Sequence, residues 1–202
     1  MSESDLSSAV LAGADAVGFV VEIDDSRHSI SAGVAADLVG LVPIYTKSVA
    51  VIAPENVDEA VKLAARTKAD VLQVHGSLAP KDLAELRSRV HQKLIAAVAA
   101  GSDAKEAVRF GMVADAVLLD TMVNGKLGGT GAVHDWDMSA KIARTLKVPV
   151  ILAGGLHPGN VAEAIVKVRP YAVDVSSGTE TGGKKDPEKI RSFVSEVRSC
   201  PQ

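Results

Sequence analysis

Short apolar, β-branched segments alternate along almost the whole chain with amphipathic segments rich in Ala, Glu and Lys, at a spacing of about 22–26 residues. Each such pair is the pattern of a βα unit, and a series of them predicts a parallel sheet with helices between its strands. The predicted strands are residues 16–21, 48–52, 70–74, 93–98, 116–119, 148–153 and 172–175. The predicted helices are residues 4–12, 32–40, 56–67, 80–90, 103–110, 137–146, 158–168 and 187–198.

A parallel sheet of this kind is either an open, doubly wound sheet or a closed barrel. The even spacing favours the barrel, and the segment after Val21, Glu-Ile-Asp-Asp-Ser-Arg, lacks the glycine-rich turn of a dinucleotide-binding sheet. The sequence therefore predicts an α/β protein, a (β/α)8 TIM barrel forming a single domain over residues 1–202. Because a helix comes before the first of only seven predicted strands, strand 1 of that barrel is missing from this chain.

Composition excludes several classes of protein. The longest apolar runs span five to eight residues, well short of the ~18–20 that a membrane span needs. No basic segment followed by an apolar one opens the chain, and its single cysteine, Cys200, cannot form an internal disulfide. The 22 basic residues are scattered among 25 acidic ones, with no basic patch for a nucleic acid. We therefore expect a cytoplasmic protein that binds neither membrane nor nucleic acid.

The reacting groups of (β/α)8 enzymes lie at the carboxyl ends of the strands and in the loops that follow. Asp120 directly follows a predicted buried strand and precedes a long loop that contains Gly128-Gly-Thr-Gly131. The loop could be a flexible crossover with Asp120 as a turn residue, but compact domains rarely keep such long loops unless they bind something. Asp120 is therefore a candidate catalytic residue.

The last two strand-to-helix loops are rich in glycine and serine, and in this fold that pair of loops often binds phosphate through backbone amides. Either loop alone is ordinary turn chemistry, whereas together they favour a phosphate ligand. The candidate phosphate-binding residues are Gly154, Gly155, Leu156, Ser176, Ser177 and Gly178.

Gln73-Val-His75 ends another predicted strand. His75 could act as a general acid or base, because the ordinary pKa of histidine is ~6.5, or it could be a polar residue that positions the neighbouring loop. No pair of histidines has the spacing of metal ligands, so we predict no metal site.

Taken together, these segments resemble phosphoribosylanthranilate isomerase, in order and over nearly the whole chain. The matching segments are Gly13-Ala-Asp15-Ala-Val-Gly-Phe-Val20, Val71-Leu-Gln-Val-His-Gly76, Leu118-Leu-Asp120, Gly128-Gly-Thr-Gly131, Asp135-Trp136, Ala153-Gly-Gly-Leu156 with Asn160-Val161, and Val173-Asp-Val-Ser-Ser-Gly178 followed by Lys185-Asp186.

The resemblance implies an isomerase of tryptophan biosynthesis that carries out an Amadori rearrangement without a cofactor, on a small phosphorylated substrate, as a monomer or homodimer. It implies that Asp120 is the general acid and that the six loop residues hold the phosphate. On the anthranilate and ribose side it implies Arg27, His28, Gln73, His75, Gly129 and Asp174.

The sequence departs from the family at the general base, which the resemblance places on a cysteine in a Lys-Ile-Cys-Gly segment of the first strand. No such segment occurs here, and we expect the natural product to be longer than this chain. The alternative is a phosphate-binding barrel that has lost its activity. In a second departure, His28 stands where the family has arginine, and Arg27, one position earlier, could take over that role.

Overall fold

The structure is a computed structural model that describes residues 1–24, 26–76, 78–123, 126–127 and 135–201. Its helices are α1 (Glu3–Ala12), α2 (Ala32–Val39), α3 (Val57–Thr67), α4 (Pro80–Arg89), α5 (Ala104–Gly111), α6 (Trp136–Thr145), α7 (Val161–Val168) and α8 (Pro187–Ser199), with a 3-10 turn at Ser177–Thr179. Its strands are β1 (Ala16–Val20), β2 (Lys47–Ile52), β3 (Val71–Val74), β4 (Lys93–Ala99), β5 (Ala116–Asp120), β6 (Met122–Val123), β7 (Lys126–Leu127), β8 (Val150–Leu152), β9 (Ala172–Val173), β10 (Glu180–Thr181) and β11 (Lys184–Lys185).

Within the described ranges, seven strands form one sheet in the order β1, β2, β3, β4, β5, β8, β9, and two short antiparallel hairpins, β6 with β7 and β10 with β11, lie outside it. Each strand pair whose register is known in the sheet is parallel; Val17 lies beside Ser48, and Leu119 beside Leu152. All seven predicted strands and all eight predicted helices are confirmed to within a few residues. The two hairpins were not predicted, because segments of two residues carry no periodicity.

The chain divides into two compact units, of which the first comprises residues 1–96 and 113–115. Its interior is made mostly of aliphatic side chains from strands and helices; Phe19 of β1 and Leu72 of β3 are fully buried, and Leu83 of α4 is almost so. Burying such side chains contributes roughly 1.5–3 kcal/mol each, which offsets the ordering of the helices that cover the strands.

The second unit comprises residues 97–112 and 116–202 and contains two apolar clusters. In one, Leu119 of β5 and Ile142 of α6 are fully buried together with Val98 and Val117. In the other, Trp136, Leu152, Leu156, Val161, Ala164, Val168 and Phe193 pack together. Leu156 belongs to this second cluster, so one of the predicted phosphate loops is anchored in the core.

Helix ends follow their sequence signals. The Ser2 hydroxyl accepts the backbone N–H of Asp5, and the Asp5 carboxylate accepts the backbone N–H of Ser2, a reciprocal capping box at the start of α1. Asn56 caps α3 by accepting the backbone N–H of Glu59 at 3.0 Å. Asp186 caps α8, whose first residue, Pro187, lacks the N–H that would have no partner there. Such caps contribute about 1 kcal/mol each and fix where the loops end.

Two aspartates in the first unit link neighbouring strands. The Asp70 carboxylate accepts hydrogen bonds from the backbone N–H and the hydroxyl of Ser48, at 2.9 and 2.7 Å. The Asp115 carboxylate accepts the N–H of Leu94 at 2.9 Å and pairs with Arg87. The bond from Ser48 holds the pKa of Asp70 below its usual value. Each carboxylate precedes one strand and bonds to the strand beside it, so both help to hold strand pairs together.

Helix α7 begins later than predicted, at Val161 and not at residue 158. The reason is Asn160, whose side-chain oxygen accepts the N–H of His157 at 2.8 Å and closes a turn ahead of the helix. Local bonds of this kind compete with helical ones. Within the described ranges, no helix combines the length and the apolar character needed to cross a bilayer.

Candidate active site

Asp120 is the last residue of β5, and it is a buried carboxyl with 6 % of its surface exposed. Its Oδ1 accepts the backbone N–H of Thr121 at 2.7 Å, and its backbone carbonyl accepts the N–H of Ala100 at 2.8 Å. The backbone of Asp120 is therefore tied to the residue that follows β4. The Asp120 side chain therefore lies at the carboxyl-terminal end of β5, the strand end at which the sequence predicted it.

Burial raises the pKa of Asp120 to about 6, because a charged carboxylate is poorly solvated there. The N–H of Thr121 acts in the opposite direction, and the negative charge of Asp174 raises the pKa further. A carboxyl with such a pKa keeps a useful protonated fraction near neutral pH. It is therefore suited to donate a proton to a substrate oxygen.

Asp174 directly follows β9, and its backbone N–H donates to the carbonyl of Leu152 at 2.8 Å. Surrounding protein atoms raise its pKa, while the charge of Lys185 lowers it. The residue surface itself is exposed to solvent, which moderates the effect of the surroundings. Two carboxyls of unequal environment thus stand close enough to influence each other, at the ends of β5 and β9.

Gly154 lies against Thr121, where any larger residue would collide. A β-carbon at Gly154 would lie 2.6 Å from the Thr121 nitrogen, and the backbone has a φ of +82°, which side chains disfavour. Next in the chain, the carbonyl of Gly155 accepts the side-chain amide of Asn160 at 3.0 Å. The loop after β8 is therefore held on one side by Thr121 and on the other by Asn160.

Gly178 brings the loop after β9 against the loop after β8. A β-carbon there would collide with the carbonyl oxygen of Leu156 and lie 3.0 Å from the α-carbon of His157. The preceding residues, Ser176 and Ser177, form the start of the 3-10 turn. The two predicted phosphate loops are thus in direct backbone contact in the second unit, which is the arrangement that a shared anion site requires.

Gln73 and His75 lie together at the end of β3 in the first unit. The Gln73 Nε2 lies 2.9 Å from the His75 Nε2, and the Gln73 side chain is buried. The surrounding protein atoms lower the pKa of His75 to about 4 by burial, although the residue surface is only half-buried, so the ring is uncharged at neutral pH. This favours a hydrogen-bonding and positioning role for His75 over that of a charged group.

Arg27 and His28 lie in the loop between β1 and α2, where the Arg27 Nε donates to the His28 Nε2 at 3.2 Å. Arg27 is exposed and His28 half-buried. Glu22 accepts the first N–H of α2, from Ala32, at 2.9 Å and pairs with Arg66 of α3. The predicted Gly129, with its neighbours Gly128 and Gly131, lies outside the described residues.

Sequence reasoning missed three residues that shape this region: Thr121, Glu180 and Lys185. Thr121 follows Asp120 directly and could have been considered as its hydrogen-bond donor. Lys185 was noticed only as part of the Lys185-Asp186 motif. Its ammonium donates to the carbonyl of Ser176, nine residues earlier in the chain, at 2.7 Å.

Among the described residues, no group of histidine, cysteine or acidic side chains is arranged to hold a metal ion.

The comparisons with known proteins decide the family. A family model described as N-(5'phosphoribosyl)anthranilate (PRA) isomerase matches residues 1–196. The chain belongs to this family. The N-(5'-phosphoribosyl)anthranilate isomerase of Methanothrix thermoacetophila is 54% identical over 200 residues, covering 99% of this chain and 95% of that protein.

Two solved isomerase structures are similar to this chain. Monomers generated from the dimeric phosphoribosylanthranilate isomerase of Thermotoga maritima match with a TM-score of 0.81 and 29% identity, covering 98% of this chain and 94% of that one. A phosphoribosylanthranilate isomerase in complex with reduced 1-(o-carboxyphenylamino)-1-deoxyribulose 5-phosphate matches with a TM-score of 0.81, 30% identity and the same coverage. The chain therefore has the isomerase family's (β/α)8 TIM-barrel fold with one strand fewer in the described sheet, as predicted.

Proposed function

We propose that this protein catalyses the Amadori rearrangement of N-(5-phosphoribosyl)anthranilate to 1-(2-carboxyphenylamino)-1-deoxyribulose 5-phosphate, with Asp120 as the general acid. The observation that carries the assignment of Asp120 is its position, a buried carboxyl at the end of β5 with a pKa raised to about 6. Membership of the isomerase family supports the reaction itself.

The chemistry needs one acid and one base. The acid protonates the ring oxygen of the furanose, the bond from C1 to that oxygen breaks, and C1 becomes an iminium. The base then removes the proton from C2, which gives a neutral enolamine; protonation of C1 together with loss of the proton of the C2 hydroxyl yields the 2-ketose. Asp120 supplies the first proton. The neighbouring Asp174 supports this role because its negative charge favours the protonated form of Asp120.

The substrate phosphate is assigned to the two loops after β8 and β9. Their direct backbone contact, through Gly178 and Leu156, supports this assignment. Backbone amides near the start of a helix suit an anion because they supply hydrogen bonds without a competing side chain. The residues assigned to the phosphate are Gly154, Gly155, Leu156, Ser176, Ser177 and Gly178.

The anthranilate and ribose contacts stay predictions from the family resemblance. They comprise Arg27, His28, Gln73 and His75 in the first unit, Asp174 in the second, and Gly129. The neutral state of His75 fits hydrogen bonding to a sugar hydroxyl. The family's cysteine base has no counterpart in this sequence, whose single cysteine, Cys200, ends α8.

The remaining assignments concern the whole protein. The ligand is a small phosphorylated molecule, and the protein acts as a monomer or homodimer, in the cytoplasm, without nucleic acid or membrane partners. Residues 1–202 act as one domain. The dimeric Thermotoga maritima relative supports considering both oligomeric states.

The experiment is an isomerase assay that follows the loss of substrate fluorescence. It compares this 202-residue chain with a version that carries a Lys-Ile-Cys-Gly strand ahead of Met1, each with and without Asp120→Asn. We expect turnover in the extended chain and its loss in the Asp120→Asn variant, while Asp37→Asn, at an exposed carboxyl on α2, leaves turnover unchanged.

Three outcomes are informative. Turnover by Asp120→Asn at the parent rate would contradict the assignment of the acid. Binding of the reduced product analogue by the extended chain, without turnover, would indicate a phosphate-binding barrel that has lost its activity. Turnover by the short chain alone would show that its base is not the family's cysteine, and His75 would be the next residue to change.

A further inference from the structure

Lys185 ends the β10–β11 hairpin and contacts the loop after β9. Its side chain is 17% exposed, which is low for a lysine. The ammonium donates to the carbonyl of Ser176 at 2.7 Å and to the Oε1 of Glu180 at 3.1 Å. A cation so placed is held on two sides by groups of the same short segment.

The carbonyl of Ser176 is a point where several donors converge. It accepts the hydroxyl of Thr179 at 3.0 Å and the backbone N–H of Thr179 at 3.3 Å, besides the ammonium of Lys185. A charge-assisted bond from an ammonium is stronger than a bond between neutral groups. The orientation of the Ser176 peptide is therefore fixed chiefly by Lys185.

Glu180 ties the same lysine to the core of the second unit. Its carboxylate side chain is only 4% exposed and pairs with Lys185 at 3.1 Å. Its backbone carbonyl accepts the ammonium of Lys189, on α8, at 2.7 Å. If Lys185 moved away, the buried carboxylate of Glu180 would lose this ion pair, which is costly in the protein interior. Lys185 is therefore held in place.

We propose that Lys185 is a positioning residue of the phosphate site: by binding the Ser176 carbonyl, it sets the direction in which the loop of Ser176, Ser177 and Gly178 meets the phosphate. The inference rests on the proposed function, which assigns this loop to the phosphate. The proposal adds Lys185 to the site as a residue that acts through the loop. Its positive charge alone would suggest a direct contact with the phosphate, which is a different role.

The charge of Lys185 has a second effect on the site. It lowers the pKa of Asp174 and so opposes the effect of the surrounding protein, which raises it. Asp174 in turn favours the protonated form of Asp120. Asp174 thus interacts with one cation, Lys185, and one carboxyl, Asp120. Lys185 helps to keep the negative charge on Asp174.

The test compares Lys185→Met, Lys185→Arg and the double variant Glu180→Gln/Lys185→Met with the parent chain. The double variant removes both charges of the buried pair. It should therefore fold even if the buried charge left in Lys185→Met prevents that variant from folding. The probes are inorganic phosphate, the reduced product analogue and the same analogue without its phosphate. Calorimetry gives the affinities, and the amide signals of Ser177 and Gly178 in NMR locate the binding.

For the double variant we expect affinity for inorganic phosphate and for the phosphorylated analogue to fall about tenfold. This is the size of effect expected when one charge-assisted hydrogen bond that positions the loop is lost. Affinity for the analogue without phosphate should stay within twofold of the parent. Lys185→Arg should recover most of the phosphate affinity. In ¹³C NMR, the titration of Asp174 should move to higher pH in the double variant and return in Lys185→Arg.

Unchanged phosphate affinity in the double variant would overturn the proposal. Equal losses for the analogues with and without phosphate would also overturn it, because they would show a general effect on the fold. If the parent chain binds inorganic phosphate at this loop but not the analogue, the proposed function fails while Lys185 is still tested by phosphate alone. If the parent chain binds no phosphate at this loop, both fail.

Discussion

The α-carbon of Gly178 faces the carbonyl oxygen of Leu156 so closely that no β-carbon fits between them. Leu156 is almost fully buried among Trp136, Leu152 and Phe193, so it cannot retreat without opening the core. The contact therefore fixes the distance between the two loops that we assign to the phosphate.

Gly178→Ala should separate these loops. Because the obstacle is backbone, the strain of about 1–3 kcal/mol has to be relieved by moving a loop. We expect affinity for inorganic phosphate to fall at least tenfold, measured by calorimetry. The control is Gly33→Ala in α2, where the added carbon meets only an ordinary contact at 3.9 Å. Equal phosphate affinity in the two variants would contradict the assigned site.

The pH dependence of catalysis should report the pKa of Asp120. A general acid works in its protonated form, so kcat/KM of an active, strand-extended chain should fall as pH rises above about 6. The fall should approach tenfold per pH unit, and it is measured from initial rates between pH 5 and 9. A profile that stays flat to pH 8 would argue against Asp120 as the acid.

Asp120→Asn should make the protein more stable at neutral pH. The pKa of Asp120 is about 6 in the folded state against 3.8 for the ordinary carboxyl, so stability is lost as pH rises through that window. The loss is about 2–3 kcal/mol above pH 6. The asparagine carries no charge and can still accept the N–H of Thr121.

Urea unfolding at pH 4 and pH 8 measures this effect. The difference in unfolding free energy between Asp120→Asn and the parent should be larger at pH 8 than at pH 4. The exposed control Asp37→Asn should show no such difference. If Asp120→Asn does not raise the unfolding free energy at pH 8, Asp120 is as well solvated as an ordinary carboxyl, and the prediction is wrong.

His75 should remain neutral over the physiological range. Its pKa is lowered to about 4 by burial, so its ring signals in NMR should not shift between pH 8 and about 5.5. Because the folded-state pKa lies below the ordinary 6.5, His75 costs stability as pH falls through that window. His75→Gln should therefore lose less stability between pH 6.5 and 4. A ring that titrates near 6.5 would contradict this.

The fold was predictable because it depends on local patterns, and the same patterns locate the strand ends at which the candidate site residues lie. Short apolar segments define strands such as β5 and β8 without reference to the rest of the chain, and a parallel sheet brings their carboxyl ends to one edge. Asp120 and Gly178 were singled out because they follow predicted strands, and their roles stay predictions. Helix α7 was predicted to start too early, because the competing bond of Asn160 to His157 depends on side-chain geometry.

The remaining features depend on distances that a sequence does not contain. The pairing of Lys185 with Ser176 depends on a hairpin of two-residue strands, and the pKa of Asp120 depends on how deeply β5 is covered. His75 looked equally suited to acid, base or positioning roles. The low pKa of the buried ring excludes a charged, acid role near neutral pH, whereas base and positioning roles both need the neutral ring.

The three donors on the Ser176 carbonyl have a consequence for the kinetics of binding. They restrict the loop through bonds internal to the protein, so its shape is set before any anion arrives. Preorganisation of this kind removes the entropy loss of ordering a loop upon association. Phosphate should therefore bind in a single fast phase, without a slow rearrangement of the loop. Its association rate should depend on ionic strength, because no loop closure limits the rate.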